Sequence, residues 1–146
     1  MAGEIRIDGM KELQRKIAEI QNETSPALTA ASLRAALKPM QAAAISNAPL
    51  GDKAHKSYKG RLLSPGFLKR NIKLKKIKGK NVGYTLAERD EAFYGQIIEY
   101  GFKGVPGNEW LGGAYEDTKD QVMNNFLVEV SKRLVRASKR IRTKYK

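Results

Sequence analysis

Glu99 is the side chain best placed to do chemistry. It stands between Ile98 and Tyr100, and a carboxylate in apolar surroundings can hold its proton tightly enough to act as a general acid or base. The same setting suits a structural carboxylate, either salt-bridged to a basic residue or meeting a neighbouring subunit. His55 is the only histidine and lies among lysines, where an imidazole is ordinarily solvated. The chain has no cysteine, which excludes disulfides and thiolate metal sites and leaves zinc only an unusual carboxylate-rich shell. Gly101, Gly104 and Gly107 lie close together, but no Lys-Ser/Thr pair follows them as a phosphate loop requires. No serine sits in a nucleophile elbow. The residues carry no catalytic constellation, no metal site and no cofactor site.

Charge is the other chemistry on offer. The 146 residues carry a formal net charge of +13 and a pI near 10.0, a balance that favours anionic partners without specifying a fold. It is unevenly spread: residues 1–50 hold 6 Lys/Arg against 5 Asp/Glu, residues 51–89 hold 12 against 2, and residues 131–146 hold 8 with no acid. Lys69, Lys73 and Lys75 recur at alternate positions of a strand-like run, and Arg136, Lys139, Arg140 and Arg142 crowd the end of a helical one. Either cluster could face a DNA phosphate backbone. Lysines on an edge strand also serve simply to block unwanted pairing. Aromatic residues do not interleave with them as single-strand binding would require; Tyr58 and Tyr145 stand singly near lysines. A basic nucleic-acid-binding module is therefore the alternative reading of function.

The elements that must position these groups can be read from periodicity. Glu4 to Ile7 alternates as a short strand, and Leu13, Ile17 and Ile20 share one face of a helix ending near Asn22. Ser25-Pro26 opens a second helix, with Ser as cap and Pro in the first turn. Its apolar stripe is Leu33, Leu37, Met40 and Ala44, Pro39 should kink it or else split it into two helices, and Ala48-Pro49 should end it. Residues 49–66 show no periodicity and read as a mobile loop. Leu68, Ile72 and Leu74 alternate with the lysines, Lys78 to Asn81 turns, and Val82, Tyr84 and Leu86 alternate again, so the pair reads as a β-hairpin. Ala92 to Gly101 reads as a short helix stopped by Gly101, followed by a second irregular loop to Gly107.

From Ala114 a long helix runs toward Ile141, with Val122, Phe126, Val130 and Leu134 at i+4 spacing. Acids near its start and bases near its end suit the macrodipole. The basic tail at 142–146 should fray. The outcome is one α+β domain over residues 1–146: a small antiparallel sheet covered by an N-terminal helix pair and a long C-terminal helix. The sheet residues should pack against Leu37, Met40, Val122, Phe126 and Val130. No apolar run approaches a membrane span and the N-terminus lacks a secretory signal, so membrane partners are not expected and synthesis in a cytoplasm is.

Three short patterns occur in order. They are Gly66-Phe67-Leu68-Lys69-Arg70-Asn71-Ile72, then Tyr94 with Ile98-Glu99-Tyr100-Gly101, then Trp110-Leu111 with Ala114, which opens the long helix. With Ala48-Pro49 before them, the chain resembles the tail-completion, or minor tail component, family of long-tailed bacteriophages. It departs where Phe102 replaces a usual Thr and where Asn108-Glu109-Trp110 replaces a proline–aromatic pair.

The resemblance implies a non-enzymatic virion structural protein of the tail or neck, made in the host cytoplasm and acting late in tail assembly where tail joins head. It implies a closed homo-oligomeric ring, a hexamer matching the tail tube, with head-completion and tail-terminator or tail-tube proteins as neighbours and non-specific contact with packaged DNA. It implies no cofactor. The assembly contacts expected on this basis are Tyr58, Tyr94, Glu99 and Tyr100, with Gly101, Phe102 and Trp110 in the second loop.

Overall fold

The computed structural model describes Gly9, Lys11, Arg15, residues 25–78, 84–88, Ala92 and 94–144, with residues 84–88, 141, 142 and 144 described through their backbone. The expected first strand, most of the expected first helix, and Val82 lie outside these residues, as do the side chains of Tyr84, Leu86 and Arg142.

Helix α1 spans Pro26–Ala36 and α2 spans Lys38–Asn47. Ser25 caps α1, its hydroxyl accepting from Leu28 N at 3.3 Å, and Pro26 takes the first turn, where its missing N–H costs nothing. Two polar residues are fully buried in α1. Thr29 Oγ1 donates to the Ser25 carbonyl and Ser32 Oγ to the Leu28 carbonyl, at 3.0 and 2.9 Å, so neither burial leaves a donor orphaned. The expected kink is a break into two helices at Leu37, two residues before Pro39. Proline cannot bond the carbonyl four residues back, and its ring crowds that carbonyl.

Residues expected as an irregular loop contain a hairpin, with β1 (His55–Lys56) paired antiparallel to β2 (Leu62–Leu63). The strand expected from Leu68 starts later than its alternation suggested. Phe67–Asn71 is a single-turn helix, α3, and the strand β3 runs only over Ile72–Lys76. Leu68 and Ile72 are both buried, and a spacing of four satisfies a helical turn as well as it satisfies alternation. Lys69 therefore does not share a strand face with Lys73 and Lys75; its Nζ donates to the Ser46 carbonyl at 3.1 Å. β3 pairs with β4 (Tyr84–Glu88), Leu74 facing Leu86 in the register. The short helix α4 (Gly95–Tyr100) leads into a third hairpin, β5 (Gly101–Phe102) and β6 (Val105–Pro106), where an irregular loop was expected. Helix α5 then runs from Trp110 to Lys144, 35 residues and about 52 Å long. It begins four residues before Ala114.

Among the described residues the α+β architecture is thus an N-terminal helix pair, three two-stranded antiparallel sheets and a long C-terminal helix. α5 packs along both α1 and α2, and β3 packs on α2, where Gln41 Nε2 also donates to the Ile72 carbonyl at 3.1 Å. Two apolar clusters result. One joins Leu33, Leu37 and Met40 to Val122, Phe126 and Val130, with Leu74 against its edge. The other joins Ala44, Leu68 and Ile72 to Trp110, Leu111 and Ala114. The expected helical stripe is therefore core, but Leu134 at its end is exposed.

Candidate functional site

The second cluster brings the three sequence patterns together, with Leu68 and Ile72 from the first, Tyr94 and Ile98 from the second, and Trp110, Leu111 and Ala114 from the third. A helix begins with backbone N–H groups that lack intrahelical partners. At α5 the N-cap position is held by Glu109, whose carbonyl accepts the first helical bond from Gly113 N at 2.8 Å. Glu109 has a positive φ of 50° and an exposed side chain. The cap is supplied from elsewhere: Glu99 Oε2 accepts from Leu111 N at 2.7 Å and Glu99 Oε1 from Gly112 N at 2.8 Å. Glu99 is 4% exposed. Its negative charge is met by two backbone donors and by the positive end of a long helix dipole. Both carboxylate oxygens are engaged within the subunit. A carboxylate whose oxygens are committed to two amides is a structural clamp.

The clamp fixes the hairpin. Asn108 N donates to the Ile98 carbonyl at 2.7 Å and Glu109 N to the Glu99 carbonyl at 3.3 Å, so the chain leaving β6 runs back along α4. The Trp110 indole, 2% exposed, donates from Nε1 to the Gly95 carbonyl at 3.0 Å. Asn47 Nδ2 reaches the Trp110 carbonyl from α2. Gly101 ends α4 at φ 82°, ψ 172°, a conformation essentially reserved to glycine. A Cβ there would run into the Val105 carbonyl, and one on Gly107 would run into the Glu99 carbonyl.

Gly104 has a similar φ of 83°, but a Cβ there would meet nothing within 4 Å, so space distinguishes it from Gly101. Gly101→Ala should therefore cost about 2–3 kcal/mol and Gly104→Ala about 1 kcal/mol, read from urea unfolding midpoints. Equal costs would mean that the close backbone approach does not matter.

The hairpin presents an apolar tip. Phe102 is 58% exposed and Val105 68%, with Tyr100 beside them at 56%. Lys103 turns the tip with φ 46°, its ammonium 5.2 Å from the Phe102 ring centroid. A second surface feature is a cleft of 410 Å³ between the ends of the 49–66 stretch and α4, whose lining includes Pro49, Leu50, His55, Pro65, Tyr94 and Ile98. His55 and Tyr94 meet edge to face, ring centroids 5.3 Å apart. Burial pushes the Tyr94 phenol up, partly offset by a hydrogen bond from Leu68 N–H and by the Arg70 charge.

Of the residues expected at contacts, Tyr58, Tyr100 and Phe102 are exposed, Tyr94 lines the cleft, Gly101 shapes the hairpin, and Glu99 and Trp110 lie inside the subunit. Lys73, Lys75, Arg136, Lys139 and Arg140 are exposed, and Lys69 is half-buried. Nothing in the sequence marked Leu111 and Gly112 as partners of Glu99, because backbone amides look alike at every residue. Among the described residues, no group of three or more His, Asp or Glu is arranged to hold a metal ion, and no helix is long and apolar enough to cross a membrane.

Comparison with known proteins supplies the family. No curated protein and no solved structure matches the chain. The model of the HK97-gp10-like family matches residues 11–101, a span that includes α1 through α4, Glu99 and the start of the β5–β6 hairpin. With well over half its length covered, the chain belongs to the HK97-gp10-like family of bacteriophage tail components.

Proposed function

We propose that the protein is a subunit of a closed ring, sixfold symmetric to match a tail tube, that completes the tail and joins it to the filled head late in assembly. Its neighbours are further copies of itself, a head-completion protein on one side and tail-terminator or tail-tube proteins on the other. The observation that carries this reading is the β5–β6 hairpin: an apolar tip with Phe102 and Val105 exposed, braced from inside the subunit by Glu99 and Trp110. Exposed apolar groups on a braced support suit a protein–protein contact.

A ring needs two unlike, complementary surfaces on each subunit. The hairpin tip and the cleft walled by Tyr94 and Ile98 are two unlike surfaces, since no hairpin residue lines the cleft. A structural role without turnover fits this arrangement, because the one buried carboxylate in it is engaged by backbone amides.

The test is a virion reconstruction together with a Phe102→Asp variant. The expected result is a ring in which the hairpin lies against the adjacent copy, and a variant that keeps its circular dichroism spectrum but fails to assemble into tails. Isolated copies in the virion, or a hairpin that touches nothing there, overturn the reading.

A further inference from the structure

The β1–β2 hairpin is built as a stiff basic arm. Ser57 makes its turn with four hydrogen bonds. Ser57 N donates to the Arg61 carbonyl at 2.8 Å and the Ser57 carbonyl accepts from Gly60 N at 2.9 Å. The Ser57 hydroxyl accepts from Lys59 N at 3.3 Å and Arg61 N at 3.2 Å. At the base Leu63 is 1% exposed, and Gly66 N donates to the Leu50 carbonyl at 2.6 Å. The Arg61 guanidinium lies 5.9 Å from the Phe67 ring centroid. Lys56, Lys59, Arg61 and Tyr58 are all exposed on this framework, Tyr58 to 68%.

Along the sequence the arm's charge is uncompensated, and among the described residues Lys56, Lys59 and Arg61 join none of the ion pairs. Between residues 52 and 78 there are ten Lys/Arg and a single acid, Asp52. The ion pairs Lys119–Glu116, Lys132–Glu129 and Arg133–Glu129 all lie on α5. Cations held in place without carboxylates are screened by mobile ions alone, and a polyanion that replaces those ions gains their release. A two-stranded ribbon is also one of the two shapes that enter the DNA major groove.

The other basic clusters are less suited. Lys69 is tied to the Ser46 carbonyl. Arg136, Lys139 and Arg140 lie at the far end of α5, the end whose partial negative charge already favours cations. His55 meets Tyr94, and Gly95 holds Trp110, so the arm sits at the start of α5. Arg136 is 26 residues further on, about 39 Å along the helix.

We propose that the tip of the β1–β2 hairpin, through Lys56, Lys59 and Arg61, is a contact for the phosphate backbone of DNA. This does not depend on ring assembly, and a Phe102→Asp subunit keeps it.

The test is fluorescence anisotropy with a duplex of about 30 base pairs, titrated from about 50 to about 200 mM KCl. For the Lys56→Gln/Lys59→Gln/Arg61→Gln variant the slope of log K against log salt is expected to flatten by about 2.7, at about 0.9 per lost phosphate contact. The Lys56→Gln/Lys59→Gln double variant, which leaves the Arg61–Phe67 contact intact, should flatten it by about 1.8. Lys73→Gln/Lys75→Gln and Arg136→Gln/Lys139→Gln/Arg140→Gln should each leave it unchanged, with circular dichroism confirming the fold throughout. Equal flattening by any set of removed cations overturns the proposal, as does absence of duplex binding at the lowest salt. Polyglutamate binding as tight as duplex binding, lost in the same hairpin variant, assigns the arm to acidic protein surfaces and also overturns it.

Discussion

Glu99→Ala should lower the unfolding free energy by about 3 kcal/mol, because two charge-assisted hydrogen bonds disappear from a site sealed from water. Leu111 N and Gly112 N would then be left without the acceptors they have at 2.7 and 2.8 Å, and the positive end of a 35-residue helix would lose its counter-charge. The loss should not stay local. Glu99 belongs to α4 and its carboxylate closes onto α5, so removing it also releases the hairpin between them. Glu99→Gln retains one acceptor oxygen but turns an amide donor toward one of the two N–H groups, and should cost about half as much. Chemical denaturation gives both values, and the hairpin effect appears as faster hydrogen exchange at Asn108 N and Glu109 N, which bond to α4 carbonyls. An alanine variant within about 0.5 kcal/mol of the parent would show that the clamp contributes nothing measurable.

Phe126→Ala should cost about 3–5 kcal/mol, the range for truncating a fully buried aromatic. Phe126 is 1% exposed and lies in the cluster that joins α5 to Leu33, Leu37 and Met40 of the helix pair and its junction. The void left behind would sit between helices that cannot close it without sliding along each other, so relaxation should recover little. Leu127→Ala is the control. That residue is the next on the same helix but is 48% exposed, and its replacement should cost below about 1 kcal/mol. Similar losses at both positions, measured by thermal or urea unfolding, would mean that α5 packs with the wrong face inward.

What the sequence made legible follows from how local each cause is. The stripe of Leu33, Leu37 and Met40 and the i+4 series from Val122 to Val130 were readable because helical burial repeats within one segment. Gly101 was readable as a stop because the end of a helix often demands a positive φ. The start of α5 at Trp110 was legible as the third short pattern, whereas periodicity alone began the helix at Ala114. Its N-cap residue, Glu109, offers no side-chain cap, Gly112 and Gly113 are poor helix formers, and the true capping group lies ten residues earlier in the chain. Phe67–Asn71 was misread because Leu68 and Ile72 satisfy two periodicities at once, and only the packing against α2 decides between them. β1 and β2 were invisible because two-residue strands are too short to alternate. Of the expected contact residues, Tyr100 and Phe102 are exposed on the subunit, while the inward roles of Glu99 and Trp110 rest on partners that carry no signature in the sequence.

The six described strands pair only as three separate hairpins, and this has a consequence for how the molecule avoids its own kind. In a two-stranded sheet every strand is an outer one, so each backbone has a side that no partner strand covers. Open sides of this sort invite a second chain to add on, and a third after it, with no geometry to stop the growth. In β1, β2, β5 and β6 length is the safeguard, since two residues give a newcomer almost nothing to hold, and Pro106 withholds a donor besides. β3 is long enough to be dangerous at five residues, and it is the strand that carries Lys73, Lys75 and Lys76, whose charges would face the same charges on an approaching copy. Growth by backbone zippering is thus discouraged along β1, β2, β3, β5 and β6. Association is left to side-chain surfaces, whose shape can fix an angle between neighbours and so bring a chain of subunits back to its beginning.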